Sequence, residues 1–441
     1  MKKLSLYIKV SIAILIVAVL CWLYFGNYLE REKPIIKFNQ EVKFIGKQKI
    51  IEITFSDSKS GLSRLTAEII QDNKGQILID KIIPARGKEQ EILPVNIDSV
   101  ALKLHDGAAI INITAKDHSL FKNQTILSQE VIIDTIPPQI TLFKAINNIN
   151  QGGTCFIAYR TSKPTPTTGV YVNDYFTPGY TLLFDNKPTV VTYFAIPINA
   201  TKTKTKITVF ARDDAGNQLN IALPCTIKGK KFRTDKMNLS ENFLQQKMPE
   251  FQAMVPALKD KALLDVFIYV NSQMRNENFL TIQAICQKST PKKLWEGTFL
   301  RMRKAAPMAL FGDKRYYLSA GKVVAESLHV GVDLASTAQA AIEAANNGIV
   351  VFAGTLGIYG NAVIIDHGLG LFSLYGHLSS IETTVGKNVQ EKEIIGRSGM
   401  SGLAGGDHLH FSIIVGGQFV IPQEWWDPHW IKDNINKKML F

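Results

Sequence analysis

Apolar positions along the chain change their period three times, and each change marks a different kind of element. From Leu4 to Phe25 the residues are apolar except at Ser5, Lys9 and Ser11. At 1.5 Å per residue a run of about 22 residues crosses roughly 30 Å of hydrocarbon, so 1–26 is predicted to be a transmembrane helix. After a polar neck ending at Pro34, the pattern becomes short β-branched runs of period two. Ile50-Ile51-Glu52-Ile53-Thr54-Phe55, Leu65-Thr66-Ala67-Glu68-Ile69-Ile70 and Ile110-Ile111-Asn112-Ile113-Thr114-Ala115 are separated by turn signals such as Ser56-Asp57-Ser58-Lys59-Ser60-Gly61. This spacing predicts a β-sandwich over 34–136.

The pattern then recurs about 100 residues later, with Ile207-Thr208-Val209-Phe210-Ala211-Arg212-Asp213 echoing Ile111-Asn112-Ile113-Thr114-Ala115-Lys116-Asp117. A second sandwich is therefore predicted over 137–228, the two acting as a spacer. Its turn Asp213-Asp214-Ala215-Gly216-Asn217 resembles one common in bacterial immunoglobulin-like modules. Asp117 and Asp213 are read as turn caps rather than calcium ligands. From Lys228 basic residues cluster, and Asn238-Leu239-Ser240-Glu241 offers a capping box before apolar positions of helical period between Lys259 and Ile285. Residues 229–291 are predicted to be a helical connector whose apolar faces pack on the following domain. Beyond Pro291 period two returns, in Ile349-Val350-Val351-Phe352-Ala353, Ala362-Val363-Ile364-Ile365 and Leu371-Phe372-Ser373-Leu374-Tyr375, with glycines between. An antiparallel β domain over 292–432 is expected, its runs from Gly348 onward forming a meander with tight corners, and the fold class is mainly β and multidomain.

Charge changes this picture at the N-terminus. Lys2, Lys3 and Lys9 precede or enter the apolar run, which keeps the N-terminus cytoplasmic and exports the rest. The run ends Cys21-Trp22-Leu23-Tyr24-Phe25, bulky and aromatic where a signal peptidase needs small residues, so the segment is read as an uncleaved anchor in the inner membrane with the bulk of the chain periplasmic. The net charge of +12 is spread along the chain without a basic stripe interleaved with aromatics, which excludes a nucleic-acid partner. An exported cationic surface suits an anionic polymer such as peptidoglycan, whose stem peptides carry carboxylates. Cys155 and Cys225 fall in one predicted β domain and could pair.

The candidate chemistry is concentrated in the last segment. Of the eight histidines, His329, His367, His377, His408 and His410 lie there, with Asp333 four residues beyond the first. On extended chain, residues two or four apart share a face, so His329 with Asp333, and His408 with His410, can converge, and His377 adds a fifth group. Zn²⁺ takes such nitrogen and carboxylate donors, and a catalytic site uses three of them and leaves a position open. No C-x-x-C is present to build a closed structural site. Two groups then remain for acid–base work, while His367 is read as a core residue.

His329 and Asp333 in H-x-x-x-D, Gly360-Asn361-Ala362-Val363-Ile364-Ile365-Asp366-His367-Gly368, Tyr375-Gly376-His377-Leu378 and His408-Leu409-His410-Phe411 resemble, in order and spacing, the lysostaphin-like (LytM-type) zinc metallopeptidases that cut peptidoglycan cross-links. The resemblance implies that His329, Asp333 and His410 hold Zn²⁺ and that His377 and His408 are the catalytic pair. It implies a membrane-anchored zinc metalloendopeptidase, acting on peptidoglycan and open to a regulatory protein partner. The alternative is a catalytically inactive relative that activates cell-wall amidases. The resemblance departs where Gly406-Asp407 stands for the family's frequent Gly-Pro, and Asp407 is read as holding the turn.

Overall fold

The computed structural model describes residues 2–143 and 147–439; Met1 of the N-terminal segment and residues 144–146 of the second β segment lie outside them. The chain is mainly β, with one N-terminal apolar helix, Lys2–Phe25. Within it Leu6–Phe25 is long and apolar enough to cross a membrane, and its side chains find no protein core to bury against.

Two compact units are distinguished: Met1–Pro138 with Arg212–Gln218, and Gln139–Ala211 with Leu219–Phe441. In the first, a three-stranded sheet (Ile35–Phe38, Gln48–Ser56, Gln90–Asp98) faces a five-stranded one that includes Leu62–Gln71, Gly107–Asp117 and Gln124–Ile133. Ile51, Ile53 and Phe55 from the one meet Leu65, Ile69, Ile111 and Ile113 from the other in a common core. Burial alternates residue by residue along these strands, as the period-two pattern requires.

The second unit departs from that rule in an informative way. Its strands Thr154–Thr161 and Lys187–Ala195 pair antiparallel and are buried on both faces, so alternation is lost. One face, with Ile157, Tyr159 and Phe194, closes a local two-sheet core. The other, with Phe156, Ala158, Val191 and Tyr193, joins the main core of the C-terminal domain, against Trp295, Phe299 and Trp425. Strands sandwiched between two cores read as near-continuous apolar runs, and Val190-Val191-Thr192-Tyr193-Phe194-Ala195 is such a run. The second β segment is therefore built into the body of the C-terminal domain. Cys155 and Cys225 are not joined; both are free thiols.

Polar ties reinforce the same junction. Trp425 Nε1 donates to Thr154 Oγ1 at 3.2 Å, and the Glu424 carboxylate accepts from Thr154 N and Asn150 Nδ2, each at 2.8 Å. Gly153 must be glycine there, because a Cβ would stand 2.5 Å from Glu424 Oε1. Burial pushes the Glu424 carboxyl up to about 7.

In the connector, Ser240 caps helix Glu241–Met254 by accepting from Phe243 N at 3.1 Å. Helices Leu263–Tyr269 and Arg275–Ile285 follow, joined through a π-turn at Val270–Met274. Leu244, Met248, Phe251, Phe267, Val270 and Ile282 pack with Ile358, Tyr359, Ile364, Phe372, Leu374 and Ile414 of the C-terminal domain.

That domain is an eight-stranded antiparallel sheet in the order Ala306–Ala309, Val332–Ala335, Leu409–Val415, Leu371–Leu378, Asn361–Asp366, Gly348–Thr355 and Asn388–Val389, with Gln418–Val420 on Leu409–Val415. It is a meander only from Gly348 to Leu378. The last long strand, Leu409–Val415, returns to the middle between Val332–Ala335 and Leu371–Leu378, where every residue of it is buried, the polar His410 and Ser412 included. The return puts His410 directly opposite Asp333 on one side and Gly376 on the other.

Candidate metal centre

Four segments deliver the polar groups. His329 follows strand Lys322–Leu328, and its backbone is clamped by Gly312 N and Asp313 O at 2.8 and 2.9 Å. Asp333 and His410 face each other across paired strands. His408 sits just before that strand, bridged to Gly399.

His377 reaches the site by a break in register. Strand Asn361–Asp366 pairs Val363 with Tyr375 but Asn361 with Leu378, so Gly376 and His377 together oppose Ala362 in a β-bulge. Strict alternation would send His377 to the face of Tyr375 and Ser373. Instead its φ of 63°, in the left-handed region, re-aims the side chain, a strain that such sites often carry.

The central three atoms lie at hydrogen-bond distance from one another. His329 Nε2 is 2.9 Å from Asp333 Oδ1 and 3.1 Å from His410 Nδ1, and His410 Nδ1 is 2.9 Å from Asp333 Oδ1. The outer hydrogen bonds assign the tautomers. His329 Nδ1 donates to Leu310 O at 2.9 Å, which leaves a lone pair on Nε2. Ser412 Oγ donates to Val330 O at 3.0 Å and so accepts from His410 Nε2 at 3.0 Å, leaving a lone pair on Nδ1. Three acceptors thus converge on one point, an arrangement that repels unless a cation stands among them. Gly331 makes room for the His410–Ser412 hydrogen bond behind the trio, since a Cβ there would lie 2.6 Å from His410 Nε2 and 2.5 Å from Ser412 Oγ.

Two more histidines flank the trio. The His377 ring centroid is 4.8 Å from that of His408 and 5.8 Å from that of His410. His377 Nδ1 is fixed on Ser401 O at 2.9 Å and His408 Nδ1 on Gly406 O at 2.8 Å, so each turns Nε2 to other partners. His408 Nε2 lies 3.6 Å from Asp333 Oδ1. All five groups line one cleft of about 520 Å³, with Phe243, Arg275, Arg315 and Tyr359.

Electrostatics separates the two flanking imidazoles. Burial holds His377 well below the usual imidazole range, and the neighbouring His408 and His410 add to it. Burial also lowers His408, but its hydrogen bond and attraction to Asp333 outweigh that and raise it overall. Burial alone would raise the Asp333 carboxyl; when protons rather than a cation stand between the groups, hydrogen bonds from His329, His408 and His410 prevail and hold it well below the usual range.

His367 stands apart in the core, fully buried, its Nδ1 on Asn347 O and its Nε2 on Ser373 Oγ, each at 2.7 Å. Asp407 holds the turn, accepting from Ser398 Oγ at 2.6 Å and Gln339 N at 3.0 Å, and it meets no histidine. Arg315 was not anticipated from the sequence. Its Nη2 donates to Asp333 Oδ2 at 3.0 Å and so orients the carboxylate. Lys314-Arg315-Tyr316 offered no signal, because the pairing depends on the neighbouring strand Thr234–Asn238 holding that strand in place.

Burial pushes His367 down to about 4. Below pH 6.5 the unfolded chain therefore takes up a proton that the native state refuses, and stability falls as pH drops from 6.5 to 4, by up to about 1.4 kcal/mol per pH unit. Glu424 contributes the opposite slope, its stabilisation being lost as pH rises through about 7. Urea unfolding of wild type and His367→Gln across this range isolates the histidine, since Glu424 is common to both. The variant is expected to show the flatter acid limb, and parallel curves would refute the assignment.

A buried His₂Asp acceptor trio with two further histidines in one cleft defines a metallopeptidase-like centre. Residues 327–422 match Peptidase family M23. The C-terminal part of the chain is a peptidase family M23 domain. Over 95 residues it is 41% identical to the DD-carboxypeptidase/endopeptidase Mpg of Neisseria meningitidis serogroup B, 22% of each chain. Over 84 residues it is 39% identical to the murein hydrolase activator EnvC of Escherichia coli, 19% of this chain and 20% of that one. The catalytic domain of lysostaphin from Staphylococcus simulans is similar at 26% identity, covering 30% of this chain and 98% of that one, with a TM-score of 0.25. The chain thus spans about a fifth of the length of the curated relatives it matches.

Proposed function

We propose that this protein is a membrane-anchored zinc metalloendopeptidase that hydrolyses peptide cross-links of bacterial peptidoglycan. The observation that carries the reading is the convergence of three lone-pair donors, His329 Nε2, Asp333 Oδ1 and His410 Nδ1, all within 4.8 Å of one another. Two imidazoles and one carboxylate are a donor set that suits Zn²⁺ with a position left open. Bound there, zinc supplies Lewis-acid chemistry, polarising a water and a scissile carbonyl.

The remaining groups do the proton work. His377, kept neutral by burial, takes a proton from the attacking water at Nε2. His408, raised by Asp333, donates a hydrogen bond from Nε2 to the oxyanion forming on the substrate carbonyl, and the proton taken up by His377 passes to the amine nitrogen as the peptide C–N bond breaks. Two like groups with pKa values pushed apart provide a base and an acid in one cleft. Arg315 holds Asp333 in place throughout. The names of the relatives support peptidoglycan as the substrate, and the apolar N-terminal helix supports action at the outer face of the inner membrane.

Digestion of purified peptidoglycan by the zinc-loaded full chain, followed by mass spectrometry, tests the reading. Release of cross-link peptides is expected, and their masses name the bond that is cut. If nothing is released, the hydrolase reading fails and the activator reading, favoured by the likeness to EnvC, takes its place; a stable, zinc-free preparation would point the same way.

His377→Ala is expected to lower the rate by roughly 10²–10⁴-fold, the usual contribution of a positioned acid or base. Zinc content should stay near that of wild type, because His377 is outside the trio. Loss of metal along with activity would move His377 into the ligand set and overturn its role.

A further inference from the structure

The cleft holds a cation to which the hydrolytic reading assigns no task. Arg275 begins helix Arg275–Ile285, immediately after the π-turn. Its Nε donates to Asn271 O at 3.2 Å and its Nη2 to Asn271 Oδ1 at 3.0 Å, while Asn271 Nδ2 is itself anchored on Glu326 O at 3.0 Å. The guanidinium is therefore pinned by a residue one turn earlier, with two of its five N–H groups engaged. Among the described residues it forms no ion pair with a carboxylate.

The surroundings sharpen the imbalance. Arg275 is part-buried and lines the same cleft as Arg315, Tyr359, His377 and His408. Burial pushes its guanidinium below the usual range and the like charge of Arg315 adds to that, while Tyr317, Tyr359 and the more distant Asp333 offset it only in part. Of the cleft's two carboxylates, Asp333 is engaged with three histidines and Arg315, and Asp407 with Ser398 and Gln339. Neither is free to answer Arg275. A part-buried, preorganised cation that among the described residues has no carboxylate at ion-pair distance is a site for an anion from outside. The planar guanidinium fork matches a carboxylate, with charge-assisted N–H···O bonds.

We propose that Arg275, with Arg315 beside it, forms a carboxylate-binding subsite that takes a free α-carboxylate flanking the scissile bond of the peptide. The biological meaning rests on the hydrolase reading above, and it narrows the substrate class. Peptides with a free carboxylate next to the cut are favoured over bridges such as oligoglycine, in which every neighbouring carboxyl is already an amide. Arg275 binds and positions; it performs no proton transfer.

The test is calorimetric binding of an acylated D-Ala-D-Ala dipeptide and of its C-terminal carboxamide to the zinc-loaded full chain carrying His377→Ala, which slows turnover on the timescale of the titration. The carboxylate form is expected to bind about tenfold or more tightly, as charged hydrogen bonds confer. Adding Arg275→Gln should remove the difference, and Arg275→Lys should restore part of it, which also controls for folding. Equal binding of the two forms, absence of binding by both, or discrimination surviving in Arg275→Gln would overturn the subsite. Peptidoglycan digestion by wild type reads the hydrolase separately: no release of fragments with discrimination intact would remove hydrolysis and leave the subsite standing.

Discussion

Asp333→Asn is expected to abolish both zinc binding and hydrolysis. The substitution keeps the size of the side chain but removes the negative charge on which His329 Nε2, His410 Nδ1 and Arg315 Nη2 all converge, at 2.9, 2.9 and 3.0 Å. Loss of an outer partner of a metal ligand costs roughly 10–100-fold in affinity or activity. Loss of a ligand that also neutralises the site should exceed that. Zinc per chain should fall from about one to near zero by elemental analysis, and released peptide should fall below detection. A variant that kept its zinc and cut peptidoglycan at more than about a tenth of the wild-type rate would remove Asp333 from the ligand set. Arg315, left without its anion, should lower the thermal midpoint as well.

The second large effect is on stability. Trp425 is fully buried, with ring centroids of Tyr193, Trp295 and Phe299 at 5.8, 5.5 and 5.4 Å. Tyr193 belongs to the second β segment, and the other two belong to the C-terminal domain. Trp425→Ala removes the side chain on which these rings meet and leaves Thr154 Oγ1 without its N–H donor, so a loss of about 3–5 kcal/mol is expected. Denaturant unfolding measures it. For the same reason a fragment beginning at residue 229 would expose the face that Phe156, Val191 and Tyr193 cover. It should aggregate or unfold where a fragment beginning at 139 does not. A soluble 229–441 fragment with the unfolding midpoint of the longer one would show that the shared core contributes nothing.

How much of this was legible in the sequence varied with the locality of the physics. The first pair of sheets was, because alternation in Ile51, Ile53 and Phe55 against Ile111 and Ile113 is a property of the strand itself. The start of helix Glu241–Met254 was, because Ser240 caps through a local bond. The second β segment was recognised as β but read as a spacer, since period two cannot report that Phe156 and Tyr193 face a further core built on the distant Trp295, Phe299 and Trp425. The meander from Gly348 to Leu378 was legible, but the place of Leu409–Val415 in the sheet was not, because the choice of neighbour for a strand buried along its whole length is made by packing.

The candidate site divides in the same way. The sequence by itself determined which donors were available, for His329, Asp333, His408 and His410 stand at spacings that extended chain brings to one side, and the anchor run and the M23-type motifs are likewise local. Only the tertiary structure decided the tautomers of His329 and His410, through Leu310, Ser412 and Val330. It supplied the means by which His377 enters the cleft, a bulge and a left-handed backbone that no alternation rule predicts. It also brought in Arg315 and Arg275, from a neighbouring strand and from the connector. Residue type and spacing set what chemistry a chain can hold; lone pairs, charges and cavities arise only where distant segments meet.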